Sequence, residues 1–98
     1  MKYFDGSIYR GSFKDNDRHG RRGTFISTTR ENGKRDRYQG GWQNGDRHGY
    51  GTLTYSNGDL YAGEWKEGER HGKGREVLSS GEVREGLWEK DLFKGNEA

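Results

Sequence analysis

Between Tyr38 and Leu60 the chain alternates large apolar residues with polar ones at a period of two. Tyr38, Gly40 and Trp42 fall on one side of an extended segment, with Gln39, Gly41 and Gln43 on the other. After the polar stretch Gly45-Asp46-Arg47-His48-Gly49 the alternation resumes, with Gly51, Leu53 and Tyr55 on one face and Thr52 and Thr54 on the other. Residues of these types favour pleated, half-buried backbone. The pattern predicts two strands separated by a wide loop at Gly45–Gly49. A tight turn should follow at Asn57-Gly58, since a type I′ turn needs positive φ at both central residues. No stretch of the chain has helical periodicity.

The same pattern returns at once. Tyr61, Gly63 and Trp65 repeat the offsets of Tyr38, Gly40 and Trp42, and Gly68-Glu69-Arg70-His71-Gly72 repeats the loop, in a second segment of 23 residues. A fixed period of this length marks a repeat protein. Tyr9, Gly11 and Phe13, then Arg18-His19-Gly20, open an earlier copy that carries six extra residues within Arg21–Arg37. Arg84, Gly86 and Trp88, then Lys94-Gly95, begin a truncated last one, with Arg84 in place of Tyr and Lys94 in place of His. The chain therefore divides into a partial repeat (3–8), a repeat with an insertion (9–37), two regular repeats (38–60 and 61–83), a truncated repeat (84–95) and a tail (96–98), all in one array. Each repeat reads as a β-hairpin. The fold class expected is all-β, an elongated, single-layer, twisted antiparallel meander of tandem hairpins with about eight strands.

Three local features refine this picture. The third position after each Trp or Phe reads Asn16, Gly45, Gly68 and Asp91, residues that tolerate left-handed backbone, so the loop should have one geometry in every copy. The strand glycines Gly11, Gly40, Gly63 and Gly86 should each lie beneath an aromatic ring from a neighbouring strand. Glu76 stands where Leu53 stood, which predicts a register shift or bulge in the third repeat.

Composition changes the picture in two ways. Hydrophobic residues are only 26% of the chain and charged residues 35%, the balance of a chain that struggles to fold, yet aromatics reach 13% at regular intervals. The apolar surface must therefore be concentrated in Tyr, Trp and Phe, which bury a large area each. The net charge of +2 is unevenly spread, with an excess of five basic residues in the first 37. That balance is too mild to imply nucleic acid. There is no cysteine, so disulfides are excluded, and no apolar run approaches membrane-spanning length. The opening MKYFDGSIYR has no signal-peptide core, so a cytoplasmic protein, peripheral to membrane or cytoskeleton, is the expectation.

With Tyr-x-Gly-x-Trp followed by Gly-x-x-His-Gly-x-Gly in tandem at 23-residue spacing, the sequence resembles the MORN repeat (membrane occupation and recognition nexus) from Tyr3 to Gly95. The resemblance implies a single sheet of hairpins curled into a groove. It also implies non-catalytic work: scaffolding, protein binding, self-association, and contact with anionic phospholipids.

The residues themselves point the same way. His19, His48 and His71 recur once per hairpin, about 9–10 Å apart at the usual strand spacing. Ligands of one zinc ion must converge to about 2 Å, so the three read as loop histidines fixing turns, and no metal site is expected. No Ser, His and acid set supports nucleophilic catalysis, and Gly72-Lys73-Gly74 lacks the spacing of a phosphate loop. Neither an enzyme nor a cofactor is expected. The aromatic ladder Tyr9, Phe13, Tyr38, Trp42, Tyr61, Trp65 and Trp88 is the candidate partner-binding groove, with Trp rings inward and Tyr rings lining it. Arg18, Arg21, Arg22, Arg30, Lys34, Arg35 and Arg37 are the candidate contacts to anionic lipid. The loop arginines Arg18, Arg47 and Arg70 should project along one edge, each neutralised by the acid before it: Asp17, Asp46 or Glu69. Open sheet edges make self-association a further expectation.

Overall fold

The computed structural model describes residues 1–28 and 33–95. Eight strands form one open antiparallel sheet in strict sequence order: β1 (Ile8–Lys14), β2 (Asp17–Ile26), β3 (Arg37–Gln43), β4 (Asp46–Thr54), β5 (Leu60–Lys66), β6 (Glu69–Val77), β7 (Val83–Glu89) and β8 (Leu92–Gly95). No helix occurs among the described residues. The whole is a slab of 41 × 31 × 17 Å, one sheet thick with side chains on both faces. With no second layer, the core must be made by rings lying along the sheet itself.

The register explains how. Tyr38 pairs with Leu53 and Gly40 with Gly51, and one repeat later Tyr61 pairs with Glu76 and Gly63 with Gly74. The paired glycines leave a shallow trough across two strands. The Tyr38 ring lies in it so closely that a Cβ on Gly51 would overlap its hydroxyl, as a Cβ on Gly74 would overlap that of Tyr61. Each phenol then donates to the carbonyl three residues on: Tyr9 to Ser12 at 2.8 Å, Tyr38 to Gly41 at 2.9 Å, Tyr61 to Glu64 at 3.1 Å. Those carbonyls are free because the register slips by two residues between Gly40 and Trp42, and again between Gly63 and Trp65. The extra residues lie on β4 and β6, so Trp42 and Trp65 keep the face that the alternation along β3 and β5 gives them, beside the tyrosines.

The two kinds of turn are the reverse of the sequence expectation. The wide loop is a two-residue type I′ turn, with positive φ at both Asn44 (51°) and Gly45 (86°), at Glu67 (51°) and Gly68 (85°), at Asp15 and Asn16, and at Lys90 and Asp91. The strand resumes immediately, so His19, His48 and His71 lie in β2, β4 and β6 and not in loops. At Asn57-Gly58 only Gly58 has positive φ (98°). There Gly58 N donates to Tyr55 O at 3.0 Å and Tyr55 N to Asp59 O at 2.8 Å, a type I turn closed by a left-handed glycine. An Asn-Gly pair satisfies either geometry. The deciding factor is that Tyr55 and Asp59 are held as partners by the flanking strands.

The third repeat keeps the common register in spite of Glu76. Glu76 stays on the ring face because Arg70 Nη1 reaches its Oε2 at 2.9 Å and Arg84 approaches its Oε1 at 3.5 Å. The irregular strand is instead β2, where the pairing with β3 slips between Gly20 and Gly23 across Arg21 and Arg22. One of the six inserted residues sits in this bulge. The other five fall in sequence between Ser27 and Asp36, a stretch of which residues 29–32 lie outside the described residues.

Candidate partner-binding groove

The rings make one unbroken zigzag across the sheet. Phe13 meets Tyr9, Tyr9 meets Trp42, and the contact passes through Tyr38, Trp65, Tyr61 and Trp88 to Phe93. Centroids are 4.9–5.4 Å apart and all but the last pair meet edge to face, the arrangement ring quadrupoles favour. Two indoles are fixed further by hydrogen bonds to the preceding repeat, Trp65 Nε1 to Gly51 O and Trp88 Nε1 to Gly74 O, both at 3.1 Å. Trp42 Nε1 has no acceptor, because the bulge at Arg21–Arg22 displaces the carbonyl that would receive it.

This spine is core. Tyr9, Tyr38 and Tyr61 are 0%, 1% and 0% exposed, and Trp42, Trp65 and Trp88 are 5%, 3% and 4%. The expectation that the tyrosines line an open groove is therefore corrected. Seated over bare glycines, they are the most deeply buried side chains in the molecule. Burial pushes the phenol of Tyr61 up to about 12 and that of Tyr38 higher still, against the opposing pull of Arg70 and Arg47 respectively. Of the ring residues singled out from sequence, Phe13 alone stays substantially open, at 45%.

What covers the indoles is a second repeated device that the sequence reading placed elsewhere. Arg18, Arg47 and Arg70 do not project from an edge. Each lies over the Trp of the following repeat, its guanidinium carbon 4.6 Å from the centroid of the Trp42 ring, 4.5 Å from that of Trp65 and 4.8 Å from that of Trp88. Arg18 Nη2 donates to Gly45 O and Arg47 Nη2 to Gly68 O, each at 2.8 Å, clasping the next type I′ turn. Main chain reinforces the clasp, through Gly45 N to Arg18 O and Gly68 N to Arg47 O. Arg70 differs, with Glu76 and Asp91 as its ionic partners. The acids before these arginines do not neutralise them. Among the described residues Arg18 and Arg47 have no carboxylate in ion-pairing distance. The signal was present in the sequence: an Arg two residues after each type I′ turn, in every copy that is followed by another Trp.

Beside this row lies a groove of about 580 Å³. Its open apolar surface comes from Phe25 and Tyr55 over a floor that includes Leu53, walled by Arg18, Arg47 and Arg70, with Asp36, Asp46 and Asp91 at its margins. Phe25 and Tyr55 are half-buried and Leu53 is nearly covered. Asp36 Oδ1 accepts Ser56 N at 2.7 Å, tying one hairpin tip to the next, as Asp59 Oδ1 does for Ser79 N at 2.8 Å.

The basic candidates are divided between two faces. Arg18 belongs to the ring face. Arg22 instead meets Arg10, Thr24 and Gln39 around a depression on the opposite face, floored by Gly23 and Gly40. Arg21, Lys34, Arg35 and Arg37 are exposed, and Arg35 Nη1 reaches Gly6 O at 3.4 Å. Arg30 lies outside the described residues.

A family model described as MORN repeat matches residues 9–21, 38–60 and 61–83, together more than half of the chain. No curated protein matches it.

Proposed function

We propose, from the premise that this chain belongs to the MORN-repeat family, that it is a non-catalytic module binding a protein partner in the groove on its ring face. The observation that carries this reading is the pairing of open apolar surface at Phe25 and Tyr55 with arginines that have no carboxylate partner, on a surface whose rings are locked in place. Preorganised aromatic and Arg side chains are the usual centres of binding energy. The groove's contact residues are then Phe25, Leu53, Tyr55, Arg18 and Arg47, with the Tyr and Trp spine as support beneath. A photo-crosslinking amino acid at position 55 should trap a partner in cells, while the same residue at Gln39, on the opposite face, should not. Adducts from position 39 alone, or from neither, reject the groove.

A second reading is favoured by the opposite face. Arg10, Arg22 and Arg37 are exposed there without carboxylate partners among the described residues. Such a surface attracts anionic phospholipid at about 1 kcal/mol per charge. Sedimentation with phosphatidylserine vesicles should then fall steeply between low and physiological salt and be lost in a triple Arg10→Gln, Arg22→Gln, Arg37→Gln variant. Binding unaffected by salt or by that variant excludes this reading.

A further inference from the structure

We infer that the groove is shaped for an amphipathic helix with acidic residues seven positions apart, an inference that rests on the groove being the partner-binding surface. Three observations lead there. The first concerns backbone. Strands β2 to β7 are hydrogen-bonded on both sides, so the groove presents side chains and no unpaired ladder. An extended guest lying across it would leave its own amides without partners, whereas a helix satisfies them internally.

The second concerns spacing. Arg18 and Arg47 stand on β2 and β4, and so do Phe25 and Leu53. Alternate strands are about 9–10 Å apart. A helix rising 1.5 Å per residue covers that distance in six to seven residues, and seven residues return within about 20° of the same face. One hairpin of this sheet therefore matches two turns of a guest helix. Its carboxylates at i and i+7 would meet the two guanidiniums, and its apolar residues at the same interval would meet Phe25 and, one hairpin on, the uncovered side of Tyr55 beside Leu53.

The third concerns charge, which sets where the match stops. Of the acids at the groove margin, Asp36 is held by Ser56 N and Asp91 by Arg70. Asp46, exposed at the margin, pairs with neither Arg18 nor Arg47, which keep their charge for a guest. At the third place the apolar residue is replaced by Glu76, and Glu76 already satisfies Arg70. The guest's pattern should thus run for two heptads and end in a polar or basic residue.

The test uses three hydrocarbon-stapled 18-residue helices with the same apolar stripe, titrated onto the intact chain by fluorescence anisotropy. One carries Glu at positions 4 and 11, one Lys at both, and one Glu at 4 and 9. The first should bind about tenfold tighter than the second, with the ratio shrinking in high salt, and should beat the third. Equal or reversed affinities, indifference to spacing, or no saturable binding by any of the three overturns the inference. In that last case an adduct at position 55 in cells would still uphold the groove. Crosslinking of the first peptide at position 39 and not at 55 would overturn both.

Discussion

At the scale of single residues, the fold depends on rings placed where side chains are missing. Tyr38 fills the trough over Gly40 and Gly51 and spends its one proton on Gly41 O. Tyr38→Phe should keep the ring but leave that buried carbonyl without a donor, at a cost of about 1–2 kcal/mol. Tyr38→Ala adds an empty trough, for about 3–5 kcal/mol in all. Urea denaturation checks both, and an Ala variant within about 1 kcal/mol of the parent would show that the ring is not core. The same burial makes the chain sensitive to alkali. An unfolded tyrosine releases its proton near pH 10, whereas folded Tyr61 holds its own to about 12 and Tyr38 beyond that. Above pH 10 the unfolded state therefore binds fewer protons. Stability should be intact below pH 10 and fall as pH rises toward 12, by about 1.4 kcal/mol per pH unit for each residue. A urea midpoint that stays level from pH 8 to 11.5 would contradict this, and Tyr61→Phe should make the slope shallower.

At the scale of the strand and hairpin, regularity was legible and exceptions were not. Tyr-x-Gly-x-Trp announces a strand because its alternation is unmistakable, and the period announces the meander. Which of two Gly-containing turns is type I′ was illegible, because Asn57-Gly58 suits both geometries and only the strand register chooses. Glu76 looked like a defect in the pattern. It is in register because an arginine six residues before it in sequence and another across the sheet supply its counter-charges. The arginines over the indoles were visible as a recurrence, but their position could not be read without knowing that His-Gly continues a strand. The real exception is β2, where Arg21 and Arg22 occupy the place of the single residue Tyr50 and Trp42 Nε1 loses its acceptor. Deleting Arg22 should restore the spacing Gly-x-Gly seen at Gly49–Gly51 and return the carbonyl of Gly23 to the indole. A gain of about 1 kcal/mol in urea is expected, the worth of one satisfied buried donor. An equal loss would show that the bulge is itself a favoured shape.

At the scale of the whole molecule, each hairpin touches only its neighbours, through the rings, the arginine clasps and the turn amides. Stability in such an array is nearly a sum of repeat terms and interface terms, so it need not be uniform along the chain. The interface between the repeats at 38–60 and 61–83 has every device in place: Trp65 on Gly51 O, Arg47 on Trp65 and Gly68 O, and the Tyr38 ring edge to face with Trp65. Toward β1 the devices thin out, with Phe13 in place of Trp, an exposed ring and an unsatisfied indole. Toward β8 they thin again, since only three residue pairs join it to β7. Native-state hydrogen exchange should therefore show a gradient. Amides of β4 and β5 should exchange only through global unfolding, with the full dependence on urea, whereas those of β8 and of β1 facing β2 should open at lower free energy. The groove's Leu53 and Arg47 lie in the most protected strand, β4, and Phe25 in the less protected β2. A partner that lies across both should raise the protection of β4 by the full binding free energy, and that of β2 by as much only if the opening of β2 releases the partner. Uniform protection across all eight strands would mean that the array unfolds as a single unit and that its neighbour interfaces are not the seat of its stability.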